Sequence, residues 1–208
     1  MKLKHVVAII ALSSVSAFGA SITVTNGNGP VFTQSVVDNA GNAVDGGYAA
    51  IGNFDASVLE TPLTLTSSVL DGAFQLFDGA EGAINNAPFL GSFTVQSGGG
   101  VPLNAANDFS GNPIYLVLGN GPDLISSTQA AVVQLGSFPA SEPTLDTQIV
   151  STTNGTVLLG SFENWTLNPS TVPNRNNAAL NLVPLVPEPS SSLLIGLAGL
   201  SLLIRRRR

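Results

Sequence analysis

The interior of this sequence lacks the side chains on which most enzyme chemistry depends. None of its 208 residues is cysteine, and the only histidine, His5, and both lysines lie within the first five positions. Residues 20–186 therefore lack the usual base of a serine or cysteine nucleophile, the commonest transition-metal ligands and the Schiff-base amine. These absences disfavour triad hydrolases, zinc enzymes and pyridoxal enzymes, and they exclude disulfide bonds. We expect no catalytic residue and no cofactor.

Basic residues are nearly absent between the two ends. Six of the seven lie at the termini, so residues 20–186 contain one base, Arg175, against twelve acids, a net charge of −11. Proteins bind phosphate backbones through Lys and Arg, so a body this acidic is excluded as a nucleic-acid binder. Only 10% of all residues are charged, which leaves Asn, Ser, Thr and Gly to keep the body soluble.

The first nineteen residues have the three-part plan of a secretory signal peptide. A cationic start is followed by the apolar run from Val6 to Leu12 and then by small residues. Cleavage by signal peptidase after Gly19 puts Ala17 and Gly19 at the two positions that require small side chains, and cleavage after Ala17 is the second choice. The alternative is a retained N-terminal anchor, for which the apolar run is short.

The last 22 residues combine a proline-bounded acid with an apolar stretch and a terminal cluster of arginines. Pro187 and Pro189 hold Glu188 on an extended segment, because proline disfavours helix on either side. The fifteen residues 190–204 that follow span roughly 22 Å as a helix. We expect a single, short transmembrane helix whose cytoplasmic end is fixed by Arg205, Arg206, Arg207 and Arg208.

This arrangement closely resembles the PEP-CTERM sorting signal of Gram-negative bacteria. The resemblance covers Pro187 to Arg208 and implies recognition by an exosortase, a multi-pass membrane cysteine transpeptidase that cuts near the motif. It implies that the chain is exported by a Sec-type signal, is held for a time in the inner membrane by its C-terminal helix, and then reaches the cell surface or the medium. The alternative is a plain C-terminal anchor that no enzyme processes.

Between the ends, short alternating segments separated by Gly, Asn and Pro predict an all-β domain over residues 20–170. We expect an antiparallel β-sandwich of jelly-roll or immunoglobulin-like type. The predicted strands span 21–25, 31–37, 48–52, 89–96, 113–118, 130–135, 147–151 and 156–162. One short helix is predicted to begin at Ser67 or Ser68, with Leu70, Phe74 and Phe77 on one face. Residues 171–186 read as a linker.

A tetrapeptide, Leu-Gly-Ser-Phe, occurs three times in the predicted domain. Its copies end at Phe93, Phe138 and Phe162, with unequal spacings that argue against a repeat architecture. We expect each copy to be the end of a separate strand whose phenylalanine enters the core.

Three weak candidate sites remain in the body. The first is a calcium site made by Asp38, Asn42 and Asp45, although their spacing matches no established loop. The second is a pair of carboxylates for glycan hydrolysis, for which Asp78 with Glu81 and Asp55 with Glu60 are close in sequence. The third is Trp165, the only tryptophan, as a platform for sugar stacking.

The leading hypothesis is an exported, non-catalytic surface or extracellular-matrix protein. Its expected partners are signal peptidase, an exosortase and the inner membrane, with extracellular polysaccharide as a further candidate. A carbohydrate-binding module is the alternative, and a carboxylate-dependent glycan hydrolase is a third hypothesis.

Overall fold

The computed structural model describes residues 21–28, 31–32, 34–60, 65–85, 91–98, 109–140, 147–151, 155–164 and 178–187. In chain order the strands are β1 (Ser21–Thr25), β2 (Gly27–Asn28), β3 (Val31–Phe32), β4 (Gln34–Val37), β5 (Gly47–Phe54), β6 (Phe74–Ile84), β7 (Thr94–Gln96), β8 (Pro113–Gly119), β9 (Gln129–Ser137), β10 (Thr147–Ser151), β11 (Thr156–Leu159), β12 (Ser161–Asn164), β13 (Ala178–Asn181) and β14 (Val183–Pro184). A 3₁₀ helix (Ala56–Glu60) and the α-helix α1 (Ser67–Ala73) are the helices of the described residues. The described chain is therefore all-β with one α-helix, which confirms the predicted class.

The largest sheet has the strand order β11-β9-β8-β5-β6, and β14 pairs with β9 beside β11. Every pairing in this sheet is antiparallel. Side chains of β8 alternate between two apolar clusters, with Leu116 in one and Tyr115 and Val117 in the other. Because successive side chains point to opposite faces of a strand, both faces of this sheet are covered.

Different elements cover the two faces of the central sheet. Residues of β1, β4, β7 and β13 pack on one face, together with three phenylalanines, Phe77, Phe109 and Phe138. The rings of these phenylalanines have centroids 4.8–5.2 Å apart and tilted planes, the geometry that aromatic quadrupoles prefer. The other face is covered by α1, the 3₁₀ helix and buried residues such as Leu124 and Leu185.

Two strand pairs are parallel, which the antiparallel prediction did not include. β1 pairs with β10 in parallel, with Ser21 opposite Thr147, and β4 pairs with β13 in parallel, with Gln34 opposite Ala178. Each pair joins segments more than 120 residues apart. Such a pairing needs no hairpin turn, so no local signal announces it. The jelly-roll or immunoglobulin-like topology stays a prediction.

The helix begins near the predicted residues but ends before the predicted face is complete. Its N-cap is Thr66, whose hydroxyl accepts a hydrogen bond from the backbone N–H of Val69 at 3.3 Å. The helix ends at Ala73, and Phe74 pairs with Phe54 as the first residue of β6. The prediction of Phe74 and Phe77 on a helix face was therefore wrong, because pairing with β5 overrides a spacing that also suits a helix.

The three copies of the repeated tetrapeptide have different environments. Phe93 and Phe138 are buried, as predicted, whereas Phe162 is 37% exposed. Gly160 has φ +101 and divides the third copy, so the predicted strand over 156–162 is two strands, β11 and β12, in different sheets. A change of sheet at a glycine redirects the strand and leaves Phe162 outside the core.

The segment expected to be a linker, 171–186, contains two strands. β13 lies between β12 and β4, and β14 lies at the edge of β9. Residues 178–186 therefore belong to the folded body rather than to a spacer. No helix in the described ranges is long and apolar enough to cross a membrane, and the expected signal peptide and residues 190–204 lie outside those ranges.

Candidate functional site

The junction between the folded body and the C-terminal motif is the best-defined candidate site. After β13, the backbone N–H of Leu182 donates to the carbonyl of Val37 at 2.9 Å, and the Leu182 side chain is 0% exposed. Val183 and Pro184 then pair with Ala130 and Gln129 of β9. The final segment of the body is therefore held by backbone hydrogen bonds and by a core side chain.

The attachment continues to the residue before the proline-glutamate-proline motif. The backbone N–H of Leu185 donates to the carbonyl of Thr128 at 2.8 Å, and that of Val186 donates to the carbonyl of Leu65 at 2.9 Å. The Leu185 side chain is buried, whereas Val186 and Pro187 are exposed. The motif thus begins at the surface of the body, with no spacer between them.

Pro187 lines an open hollow of about 350 Å³, which we call the exit hollow. Its walls are Ser67, the loop residues 125–128 and the chain end 185–187. None of these eight residues is charged. Two large apolar side chains are exposed there, Ile125 at 60% and Val186 at 38%.

Hydrogen bonds hold the loop that presents Ile125. The Asn120 side chain accepts from the backbone N–H groups of Thr128 and Gln129 at 2.9 and 3.0 Å, which closes the turn between β8 and β9. The Ser127 hydroxyl donates to the carbonyl of Asp123 at 2.7 Å. Leu124 is buried in the core, so its neighbour Ile125 is turned to solvent by a fixed loop.

Asp123 borders the exit hollow with a negative charge. Its carboxylate accepts the backbone N–H of Ser126 at 2.7 Å, and that residue lines the hollow. Hydrogen bonds from Ser126 lower the pKa of Asp123 below its ordinary value. The carboxylate therefore stays ionised at neutral pH and places a negative charge beside Ser126, a wall residue of the hollow.

Of the predicted sorting and cleavage residues, the described ranges include Pro187 alone. Glu188, Pro189, the arginines 205–208 and the signal-peptide residues Ala17 and Gly19 lie outside them. Trp165, the predicted sugar platform, lies outside them as well. Ile125 and the attachment of Leu185 and Val186 are not predicted from the sequence. The alternation of Leu180, Asn181 and Leu182 is the signal by which the attachment could have been found.

The structure brings together two of the three proposed calcium ligands. The Asn42 side-chain amide donates to the Asp38 carboxylate at 3.1 Å, and the backbone N–H groups of Ala40 and Asn42 donate to it at 2.9 and 2.8 Å. Although burial raises the pKa of Asp38, these bonds outweigh burial and lower it. The carboxylate thus serves a turn, with Asn42 presenting its N–H rather than its oxygen. No group of three or more His, Cys, Asp or Glu able to hold a metal occurs among the described residues.

The carboxylates proposed for hydrolysis take part in local hydrogen bonds. The Asp55 carboxylate accepts from the Ser57 hydroxyl at 2.6 Å, which lowers its pKa, whereas a glycosidase acid needs a raised one. Glu81 accepts from the hydroxyl of half-buried Tyr48 at 3.0 Å. Asp78 is at a backbone kink of β6, with φ +44. The Asp55 carboxylate therefore holds a turn, and the Glu81 carboxylate links β6 to Tyr48 of β5.

Comparison with known proteins identifies the C-terminal segment. Residues 185–208 match the model of the PEP-CTERM protein-sorting motif, which confirms the resemblance drawn from Pro187 to Arg208. The chain therefore carries a PEP-CTERM sorting segment, the mark of an exported protein that an exosortase sorts through the membrane toward the cell surface. No curated protein and no solved structure matches the chain. The match begins at Leu185, so motif and folded body share three described residues.

Proposed function

We propose that this chain is a non-catalytic surface or extracellular-matrix protein that an exosortase releases from a transient membrane anchor. The observation that carries the proposal is the continuity between the sorting segment and the body, in which Val186 is hydrogen-bonded to the body and Pro187 opens the motif. In this mechanism the chemistry belongs to the processing enzymes. Signal peptidase cuts near Ala17 or Gly19, the arginines 205–208 hold the tail on the cytoplasmic side, and the enzyme cuts near Glu188.

The composition of the body supports a structural role. Between residues 20 and 186 there is no His, Cys or Lys to serve as base, nucleophile or Schiff-base amine. In the part of the chain that the structure describes, turn hydrogen bonds lower the pKa values of the Asp38, Asp55 and Asp123 carboxyl groups. Such groups stay ionised at neutral pH and are poor general acids.

Deletion of residues 187–208 tests the proposal in a host that has an exosortase. We expect the truncated chain to appear in the medium without passing through a membrane-bound form, because the anchor is gone. The matched control keeps the tail but replaces Glu188 by glutamine, which removes the charge and retains the shape. That variant is expected to accumulate in the membrane at full C-terminal length. A membrane-bound form of the truncated chain, or normal C-terminal processing of Glu188→Gln, would contradict the sorting mechanism.

A second function, carbohydrate binding, is favoured by one pocket. Tyr48, Glu81 and Asp123 line an open pocket of about 370 Å³, and an aromatic ring beside carboxylates suits a sugar with its apolar face and hydroxyls. Screening the purified body against a glycan array, with Tyr48→Ala and Trp165→Ala beside it, separates this function from the first. Saturable binding that either substitution removes favours the lectin. Binding to no glycan favours a structural protein.

A further inference from the structure

We propose that the exit hollow is a docking surface for the processing enzyme, so that the enzyme recognises the folded body as well as the Pro-Glu-Pro motif. The inference rests on the proposed function and adds a second contact to it. Its basis is the position of Pro187, which belongs to the motif and to the wall of the hollow at once.

The motif is too close to the body for an enzyme to hold it without meeting the hollow. Consecutive Cα atoms are about 3.8 Å apart, so Glu188 follows the wall residue Pro187 within about 4 Å and Pro189 within about 8 Å. A cleft that grips an extended peptide from both sides is wider than that distance. A surface that encloses Glu188 therefore lies next to Pro187, and we expect it to reach the wall of the hollow.

The body cannot readily give up its last residues to create more room. Leaving the surface would break the β14–β9 pairing and the backbone hydrogen bonds of Leu185 and Val186, and it would expose the Leu185 side chain. Several backbone hydrogen bonds and a buried leucine are lost together in that step. The enzyme thus meets a fixed surface that includes Pro187, the first residue of the motif.

The chemistry of the hollow suits a protein partner. Ile125 is held by a hydrogen-bonded loop, so ordering it on binding costs little conformational entropy. The hollow is lined by the exposed apolar side chains of Ile125 and Val186 and by the hydroxyl-bearing residues Ser67, Ser126 and Thr128. Protein interfaces combine apolar and polar side chains in the same way. We therefore expect the partner to present an apolar, uncharged patch beside its substrate cleft.

An anionic lipid surface is a poorer match for the same hollow. Asp123 places a negative charge at its edge, and residues 20–186 carry a net charge of −11. Anionic headgroups attract Lys and Arg, and the part of the chain that the structure describes has neither. The membrane is nevertheless near. Five residues lie between Pro187 and Leu193, at most about 22 Å of chain, so the hollow is within that distance of the apolar run that begins at Leu193.

The main experiment measures the rate of C-terminal processing in a host with an active exosortase, by pulse-chase and intact mass. We expect Ile125→Asp to slow processing about tenfold, the order of effect of one isoleucine lost from an interface. The matched control is Phe162→Asp, because Phe162 is also exposed and does not line the hollow. It is expected to leave the rate unchanged. Thermal melting of Ile125→Asp and of the milder Ile125→Ser checks that both variants are folded.

A flexible insertion distinguishes an enzyme that recognises the body from an enzyme that the body obstructs. About ten Gly and Ser residues between Val186 and Pro187 move the motif by roughly 15–20 Å on average. We expect this insertion to slow processing as much as Ile125→Asp does, and the two changes together to be no slower than either alone. Faster processing after the insertion would mean that the body merely obstructs the enzyme, which overturns the proposal, as would equal rates for every variant.

Because the chain has no cysteine, a thiol introduced in the hollow can show whether the enzyme or the lipid membrane covers it. A single thiol, introduced as Ile125→Cys, is the only one in the chain and is read by mass after reaction with a membrane-impermeant maleimide. We expect labelling in cells without the enzyme and protection in cells with an enzyme variant that lacks its catalytic cysteine. Protection without the enzyme would show that the membrane covers the hollow and would overturn the proposal. If the unmodified chain is never processed, the proposed function itself fails, and this result is distinct from the others.

Discussion

Replacing Leu182 by alanine tests whether the end of the body is a folded strand or a linker. Leu182 is 0% exposed and packs in the apolar cluster on the face of the central sheet that also contains Leu116. The substitution removes three carbon atoms from a buried site. At about 0.8 kcal/mol for each methylene-sized group, the transfer free energy alone amounts to about 2.4 kcal/mol. The cavity left behind raises the expected loss to about 3–4 kcal/mol.

Urea denaturation of the purified mature body measures this loss directly, and heating gives a second estimate. For a domain of this size each kcal/mol lowers the melting temperature by about 2–4 °C, so we expect a decrease of roughly 6–16 °C. The matched control is Val186→Ala, four residues later, at a side chain that is 38% exposed. It is expected to cost no more than about 0.5 kcal/mol. A loss below about 1 kcal/mol for Leu182→Ala would show that this segment is not part of the core.

Three further predictions concern backbone geometry and titration. Gly91→Ala is expected to destabilise the body by more than about 2 kcal/mol in urea denaturation, because φ is +62 and a Cβ would collide with the backbone of Val36. The control is Gly79→Ala, where φ is +63 but the space is open, and it is expected to cost about 1 kcal/mol. Equal losses for the two variants would refute the collision. Burial and the hydrogen bond to Glu81 raise the pKa of Tyr48, so Glu81→Gln should lower this pKa toward the ordinary value of 10.0. Tyrosinate absorbance measures the change in a chain whose other tyrosine is replaced by phenylalanine. An unchanged titration would show that the hydrogen bond contributes nothing. The pKa of Asp38 is lower in the folded chain than its unfolded value of 3.8, so the ionised carboxylate stabilises the fold above pH 3.8. This stability is lost as the pH falls through the folded pKa. The urea midpoint of Asp38→Asn should therefore change less than that of the wild type between pH 6 and pH 3.

The strands that the sequence predicts well are those with a strong local pattern. The run from Pro113 to Leu118 is almost wholly apolar and bounded by turn residues, and it is a strand buried on both faces. In β6 the local pattern misleads, because Leu70, Phe74 and Phe77 have helical spacing while pairing with β5 decides the outcome. Long-range pairing, which a single sequence does not reveal, accounts for this error and for the parallel pairs.

The candidate site also has one part that the sequence reveals and one part that depends on long-range pairing. The sorting motif is contiguous, so its residues and their order are visible without a structure. The exit hollow is not contiguous, because it joins Ser67, Ile125 and Val186 through the pairing of β14 with β9. Pro173 and the asparagines 174, 176 and 177 favoured reading residues 171–186 as a linker, although this stretch contains β13 and β14. The sequence therefore indicated the motif but not the surface beside it.

The most direct test of the account is intact mass spectrometry of the protein isolated from a host with an active exosortase. We expect a chain whose N-terminus begins after Ala17 or Gly19 and whose C-terminus ends near Glu188, without the arginines 205–208. Recovery of the full 208-residue chain, with both ends uncut, would contradict it.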